Sequence, residues 1–291
     1  MFSTVTLGDR RTLEYAELGD PTGTPVLFYP GTPATAGQAS VIVDAAGSHG
    51  VRLIGVSRPG YGASTLSPPS LRATATDALE LADDLELERF AVLGASGGGP
   101  FALALAAVAP HRVAHVAVHA GPGSFADVMP EILGEDDHRA LALVADGDVD
   151  GAMQLEGALA DADFGKLRDL SDADFSAALA GMAPPGESWL DRHPVAKAAF
   201  QADFRRAITP IDGSVRDNLC WLGAWDVDLG AVALQVRLVY GESDGMSPVA
   251  HAEWLQDRLP HSELHVVPGG HGDATFGAAA DTFAALAASP I

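Results

Sequence analysis

The sequence predicts an α/β fold: a doubly wound, mostly parallel sheet interrupted by an inserted helical cap. Three observations predict it. Over the first 121 residues short apolar strands alternate with helical segments, the pattern of parallel βαβ units. Residues 123 to about 220 lose that alternation and read as helix-rich, acidic and alanine-rich, with no buried strand. After residue 230 the alternation resumes. The expected division is 1–121 and 231–291 for the core and 122–230 for the cap, or lid.

The elements follow from local chemistry. Val5–Thr6–Leu7 and Leu13–Glu14–Tyr15 flank the turn residues Gly8 and Asp9 and read as a hairpin. Pro25 to Tyr29 is a short apolar strand that breaks into the loop Pro30-Gly-Thr-Pro33. Arg52 to Ser57 is a second, ending in Arg58-Pro-Gly-Tyr-Gly62, and Ala34 to Ser48 between them is helical. Ala75, Leu79, Ala82 and Leu85 recur near helical spacing with acids between them, so 71–87 is a helix with one buried face. Phe90 to Leu93 runs into Gly94-Ala-Ser-Gly-Gly-Gly99 and then an apolar helix over 101–109. Arg112 to Val118 is a strand. Gln235 to Tyr240 is another, and Ser247-Pro248 opens a helix with proline in its first turn. Glu263 to Val267 is the last strand, followed by Pro268-Gly-Gly-His271 and a final helix from about Asp273.

Composition excludes several classes. The 291 residues carry 17 basic and 39 acidic side chains, a net charge of −22. So acidic a surface does not displace counterions from nucleic acid and is repelled by anionic membranes. With 47% hydrophobic residues the chain can bury a full core. A single cysteine, Cys220, permits neither an intrachain disulfide nor a cysteine-based zinc cluster and fits a reducing, cytoplasmic setting. The first residues lack a basic stretch followed by an apolar one, so no signal peptide is expected. The longest apolar run, 101–109, is far short of the ~20 residues that a membrane span requires. Neither a cofactor nor a metal is expected. His111, His115 and His119 are spaced by four, but Val113, Val116 and Val118 make the segment a strand, where the three do not converge.

The chemistry concentrates at Gly94-Ala95-Ser96-Gly97-Gly98, a G-x-S-x-G pattern between an apolar strand and an apolar helix. Such a serine sits on a strained turn, and glycines on either side let strand and helix approach. The helix N-terminus then aims free N–H groups where an oxyanion would develop. The same glycines resemble the dinucleotide loop of short-chain dehydrogenases. Against that stand the position of the loop after several βα units, Pro100 where a third glycine would fall, and no tyrosine with lysine four residues on. A nucleophilic Ser96 requires an acid and a histidine downstream in that order. Asp244 lies in Gly241-Glu-Ser-Asp-Gly245 and His271 in Gly269-Gly-His-Gly272, each just past the carboxyl end of a strand, where open α/β sheets build their sites. Glu242 competes for the acid's place, and Asp244 is preferred for its place in the Gly-x-x-Asp turn.

Together PGTP at 30–33, SRPGYGAS at 57–64, GASGG at 94–98, YGESD at 240–244 and GGHG at 269–272 resemble the α/β-hydrolase fold family over nearly the whole chain. The resemblance implies a covalent serine hydrolase with Ser96, Asp244 and His271 as its triad. Pro30 and Pro33 have no N–H, which leaves Gly31 and Thr32 as donors in the loop at 30–33; the resemblance implies Thr32, with the N–H of Gly97 as the second donor of an oxyanion hole. Pro30 stands where that family usually has histidine in its first loop, so the sequence does not say what supports the loop. Serine at 96 argues against the dehalogenases and epoxide hydrolases of the family. A carboxylic ester is the expected substrate. An aminopeptidase similar to the proline iminopeptidases, a carbon–carbon bond hydrolase and a cofactor-free haloperoxidase stay open. So does, from a different class, a non-catalytic receptor, against which the intact Ser–Asp–His set stands.

Phe125, Met129, Trp221 and Trp225 lie near the two cap junctions and are the candidate pocket wall. Within 122–230 there are 21 acids and 8 basic residues, and 131–174 alone holds 13 acids and 3 basic residues. That concentration is the ordinary composition of a solvated helical face, or else a lid that favours neutral or cationic small-molecule substrates.

Overall fold

The computed structural model describes residues 1–182 and 189–287. Its eight strands are β1 (Phe2–Thr6), β2 (Thr12–Gly19), β3 (Thr24–Tyr29), β4 (Val51–Ser57), β5 (Phe90–Ala95), β6 (Val113–His119), β7 (Val236–Gly241) and β8 (Ser262–Val267). They form one sheet in the order β1-β2-β4-β3-β5-β6-β7-β8. The β1–β2 and β2–β4 pairs are antiparallel and the others parallel. Alternation along each strand feeds two cores. On β3, Leu27 and Tyr29 enter one and Val26 and Phe28 the other; on β5, Phe90 and Val92 face opposite to Ala91 and Leu93. Both faces are therefore covered, as a parallel sheet requires.

Helices outside the insert are α1 (Val43–Ser48), α2 (Leu71–Asp84), α3 (Gly99–Val108), α11 (Val249–Gln256) and α12 (Ala279–Ala287). The segment expected as one helix from residue 34 is a 3₁₀ helix over Ala36–Ile42 that leads into α1. The Ser70 hydroxyl caps α2 by accepting from Ala73 N at 2.9 Å, and Asp226 accepts from Leu71 N at 3.0 Å. Between β6 and β7 the described residues form α4 (Phe125–Val128), α5 (Glu135–Ala145), α6 (Val149–Phe164), α7 (Asp172–Met182), α8 (Trp189–Arg192), α9 (Pro194–Ala207) and α10 (Asp212–Trp221), with no strand among them.

One feature of the sheet positions the site. From β3 the chain crosses to β4 on one side, whereas β5 pairs with the other side of β3. The loops leaving β3 and β5 therefore part company at their carboxyl ends, which opens a crevice between them. Helix α9 closes over it and is joined to the core by polar contacts. Arg206 forms two bonds to Glu14, at 2.8 and 2.5 Å. Thr35 donates its N–H to Asp203 Oδ2 at 3.0 Å and its hydroxyl to Asp203 Oδ1.

Candidate active site

Ser96 begins the turn between β5 and α3 with φ +49°, in the left-handed region that side chains rarely adopt. The glycines around it allow strand and helix to close. A Cβ on Gly98 would lie 2.1 Å from the Tyr29 carbonyl oxygen, and one on Gly94 2.7 Å from Gly99 Cα. No larger residue fits either place without backbone movement.

The structure brings Ser96, His271 and Asp244 together from three strand ends. The Ser96 hydroxyl donates to His271 Nε2 at 3.0 Å, and His271 Nδ1–H donates to Asp244 Oδ2 at 2.8 Å. The other Asp244 oxygen accepts the N–H groups of Met246 at 2.8 Å and Ser247 at 3.0 Å. Burial alone would raise this carboxyl, but bonds from His271, Ser247 and Met246 outweigh it and hold Asp244 below its ordinary range, ionised. Glu242, the competing acid, is exposed, and Asp244 is buried.

Thr32 and Gly97 lie against one another beside Ser96. A Cβ on Gly97 would meet Thr32 Oγ1 at 2.5 Å and Thr32 N at 3.3 Å, so a larger side chain at 97 would collide with the loop. Gly31 N donates to Gln38 Oε1 at 2.7 Å. The support that the missing histidine left unexplained comes from Arg58, whose guanidinium donates to the carbonyls of Pro30 and Gly31 at 2.5 and 2.7 Å. In sequence, Arg58 to Gly62 reads as a structural loop, with Tyr61 the one residue there that could rim a pocket.

Behind the histidine loop, residues Asp273–Gly277 make one π-helical turn. His119 fixes it from below: its Nδ1–H donates to Thr275 O at 3.2 Å, and its Nε2 accepts from the Thr282 hydroxyl at 2.8 Å. Burial pushes the His119 imidazole down to about 4, so it stays neutral.

Above Ser96 lies a cavity of about 710 Å³. Its floor includes Thr32, Gln38, Ser96 and His271, and its apolar wall Phe164, Leu179, Leu190, Phe200, Phe204 and Phe276. Phe125, Met129, Trp221 and Trp225 are not among its lining residues. Phe125 packs against Trp221 and His251, at 5.2 and 4.8 Å between ring centres, while Trp221 and Trp225 lie against the large core beneath the sheet. Position near a junction in sequence did not carry these four to the cavity. The i, i+4 pair Phe200 and Phe204, on one face of α9, was the available signal.

The charged groups on the wall are compensated. Lys197 Nζ pairs with Asp191 at 2.7 Å, and Arg192 donates to Asp273. None of the 13 acids of 131–174 lines the cavity. Among the described residues no group of three or more His, Cys, Asp or Glu is placed to hold a metal ion, and no helix is long and apolar enough to cross a membrane.

Three solved structures frame these observations. An esterase from Exiguobacterium antarcticum is 19% identical, with 99% of this chain and 100% of that one covered and a TM-score of 0.68. A bromoperoxidase from Bacillus anthracis is likewise 19% identical, covers 100% of both chains and has a TM-score of 0.68. An enol-lactonase from Burkholderia xenovorans is 18% identical over 99% of this chain and 97% of that one, with a TM-score of 0.61. At such identities the likeness is one of fold. No curated protein sequence matches the chain. The family model of the alpha/beta hydrolase fold matches residues 24–277, and with it the chain belongs to the α/β-hydrolase fold family.

Proposed function

We propose that the protein is a cofactor-independent serine hydrolase that cleaves small, neutral carboxylic esters through an acyl-enzyme on Ser96. The observation that carries this is the unbroken relay from Asp244 through His271 to Ser96, at 2.8 and 3.0 Å, on a strained turn. Ser96 Oγ attacks the ester carbonyl carbon as His271 Nε2 takes its proton. The tetrahedral oxyanion is held by the N–H groups of Thr32 and Gly97. Its collapse breaks the bond to the leaving alkoxide, which receives the proton from His271. Water then attacks the acyl carbon by the same roles and releases the acid. Asp244 orients the imidazole and stabilises it when charged.

The cavity favours an uncharged substrate: its aromatic wall offers apolar area, and Lys197, Asp191 and Asp273 each have a partner. The aminopeptidase alternative needs a carboxylate free to hold a substrate ammonium, and that pairing weighs against it. Ser96→Ala or His271→Ala should lower kcat roughly 10⁴–10⁶-fold. A fluorophosphonate should label the wild-type protein at Ser96 and leave the Ser96→Ala variant unlabelled. A panel of p-nitrophenyl esters against aminoacyl arylamides separates esterase from peptidase. Wild-type turnover in the Ser96→Ala variant would overturn the assignment.

A further inference from the structure

A buried ion pair joins the loop after β4 to α10 and lies directly against the loop at 30–32. Arg58 and Asp217 are both fully buried. Asp217 Oδ2 accepts from Arg58 Nε at 2.9 Å, from Arg58 Nη2 at 2.6 Å and from the Thr32 hydroxyl at 2.9 Å. Arg58 Nη1 donates to the Pro30 carbonyl, and Nη2 is shared among Asp217, the Gly31 carbonyl and, at 3.1 Å, Thr32 Oγ1.

The two carbonyls fix two N–H directions. The peptide units 30–31 and 31–32 are trans, and in a planar trans unit N–H and C=O point opposite ways. With both carbonyls turned to Arg58, the N–H groups of Gly31 and Thr32 turn away from it. That of Gly31 is taken by Gln38, and that of Thr32 has no acceptor among the described residues. Thr32 lines the same cavity as Ser96, and an otherwise unused donor at that place is what an oxyanion hole requires.

Stability alone does not account for such a pair, because a buried ion pair is often no more stabilising than apolar residues of the same volume. We infer that Arg58 and Asp217 are positioning residues for the oxyanion donor Thr32, so that α10 is part of the catalytic frame. The inference rests on the hydrolase reading for its kinetic consequence only. Arg216, next in chain, secures α10 from the other side, with donors to Ser67 O at 2.9 Å, Ser70 O at 3.3 Å and the Thr74 hydroxyl at 2.8 Å.

The test compares the full-length wild type with Arg58→Met, Asp217→Asn and Thr32→Val, by ester kinetics and by hydrogen exchange of the peptide over 26–36. Thr32→Val keeps the backbone donor and the side-chain shape and removes only the hydroxyl tether, so it serves if the buried-charge variants do not fold. In Arg58→Met or Asp217→Asn, kcat should fall about 10²-fold, as for loss of one oxyanion donor, with KM within about twofold. Thr32→Val should lose roughly tenfold in kcat. Exchange in 26–36 should rise in each variant. Wild-type kcat in a folded variant, or a loss confined to KM, overturns the inference. If the wild type hydrolyses no ester, the hydrolase reading fails and exchange decides by itself: unchanged protection in Thr32→Val overturns the positioning role.

Discussion

At Ser96 the backbone adopts φ +49°, and it does so because Gly94 and Gly98 surrender their side-chain volume to neighbouring backbone. Gly98→Ala should therefore destabilise the fold by about 1–3 kcal/mol or more, since its Cβ would meet a fixed carbonyl oxygen. Gly157→Ala provides the contrast: it lies inside α6 with nothing within 4 Å of the added Cβ and should stabilise by up to about 1 kcal/mol. Urea titrations of the two variants check both signs; a neutral Gly98→Ala would show that the turn can relax. The elbow was legible in the sequence because its constraints are local, written in five consecutive residues. Asp244 and His271 were legible because each follows a strand whose end the apolar pattern already marked. The cavity wall was not legible. Which face of a helix looks at Ser96 depends on how the inserted helices settle on the core, and residues as far apart as Phe164 and Phe276 meet only there. Arg58 escaped for the same reason, its partner Asp217 being 159 positions away.

Among the elements, the strands and α2 follow from periodicity, and the parallel order follows from the alternation of strands and helices. The inserted helices had composition but no direction. Helix α6 illustrates what composition hides. Its Glu156 is buried with Oε1 unpartnered, and burial, assisted by the nearby charges of Asp137 and Asp136, pushes its carboxyl up to about 7. The folded chain thus binds this proton more tightly than the unfolded chain, where the group titrates near 4.5. Its stabilising contribution is complete below about 4.5 and is lost as pH rises through 7. Glu156→Gln should raise Tm by about 2–4 °C at pH 8 and change it little at pH 4.5, as read by thermal melts across that range. An equal shift at both pH values would contradict the protonation argument.

For the whole molecule the charge of −22 is unevenly distributed, with 13 acids against 3 basic residues in 131–174. Since none of those acids lines the cavity, discrimination by charge must act through the long-range field around α5 to α7. Such a field is screened beyond ~8 Å at physiological salt. Matched anionic and cationic esters should differ several-fold in kcat/KM at low salt and converge as salt is added. Equal kcat/KM at low salt would leave the acidic stretch as a solvated face only. The ties of α9 and α10 also bear on how such an enzyme can be rebuilt. Asp203, Arg206 and Asp217 lie within 122–230, yet their partners Thr35, Glu14 and Arg58 belong to the sheet and its loops. We expect a chimera that takes all of 122–230 from a relative to arrive with an unsupported loop at 30–32. A graft limited to α5–α7 should be accepted, so the exchangeable cassette is shorter than the insert.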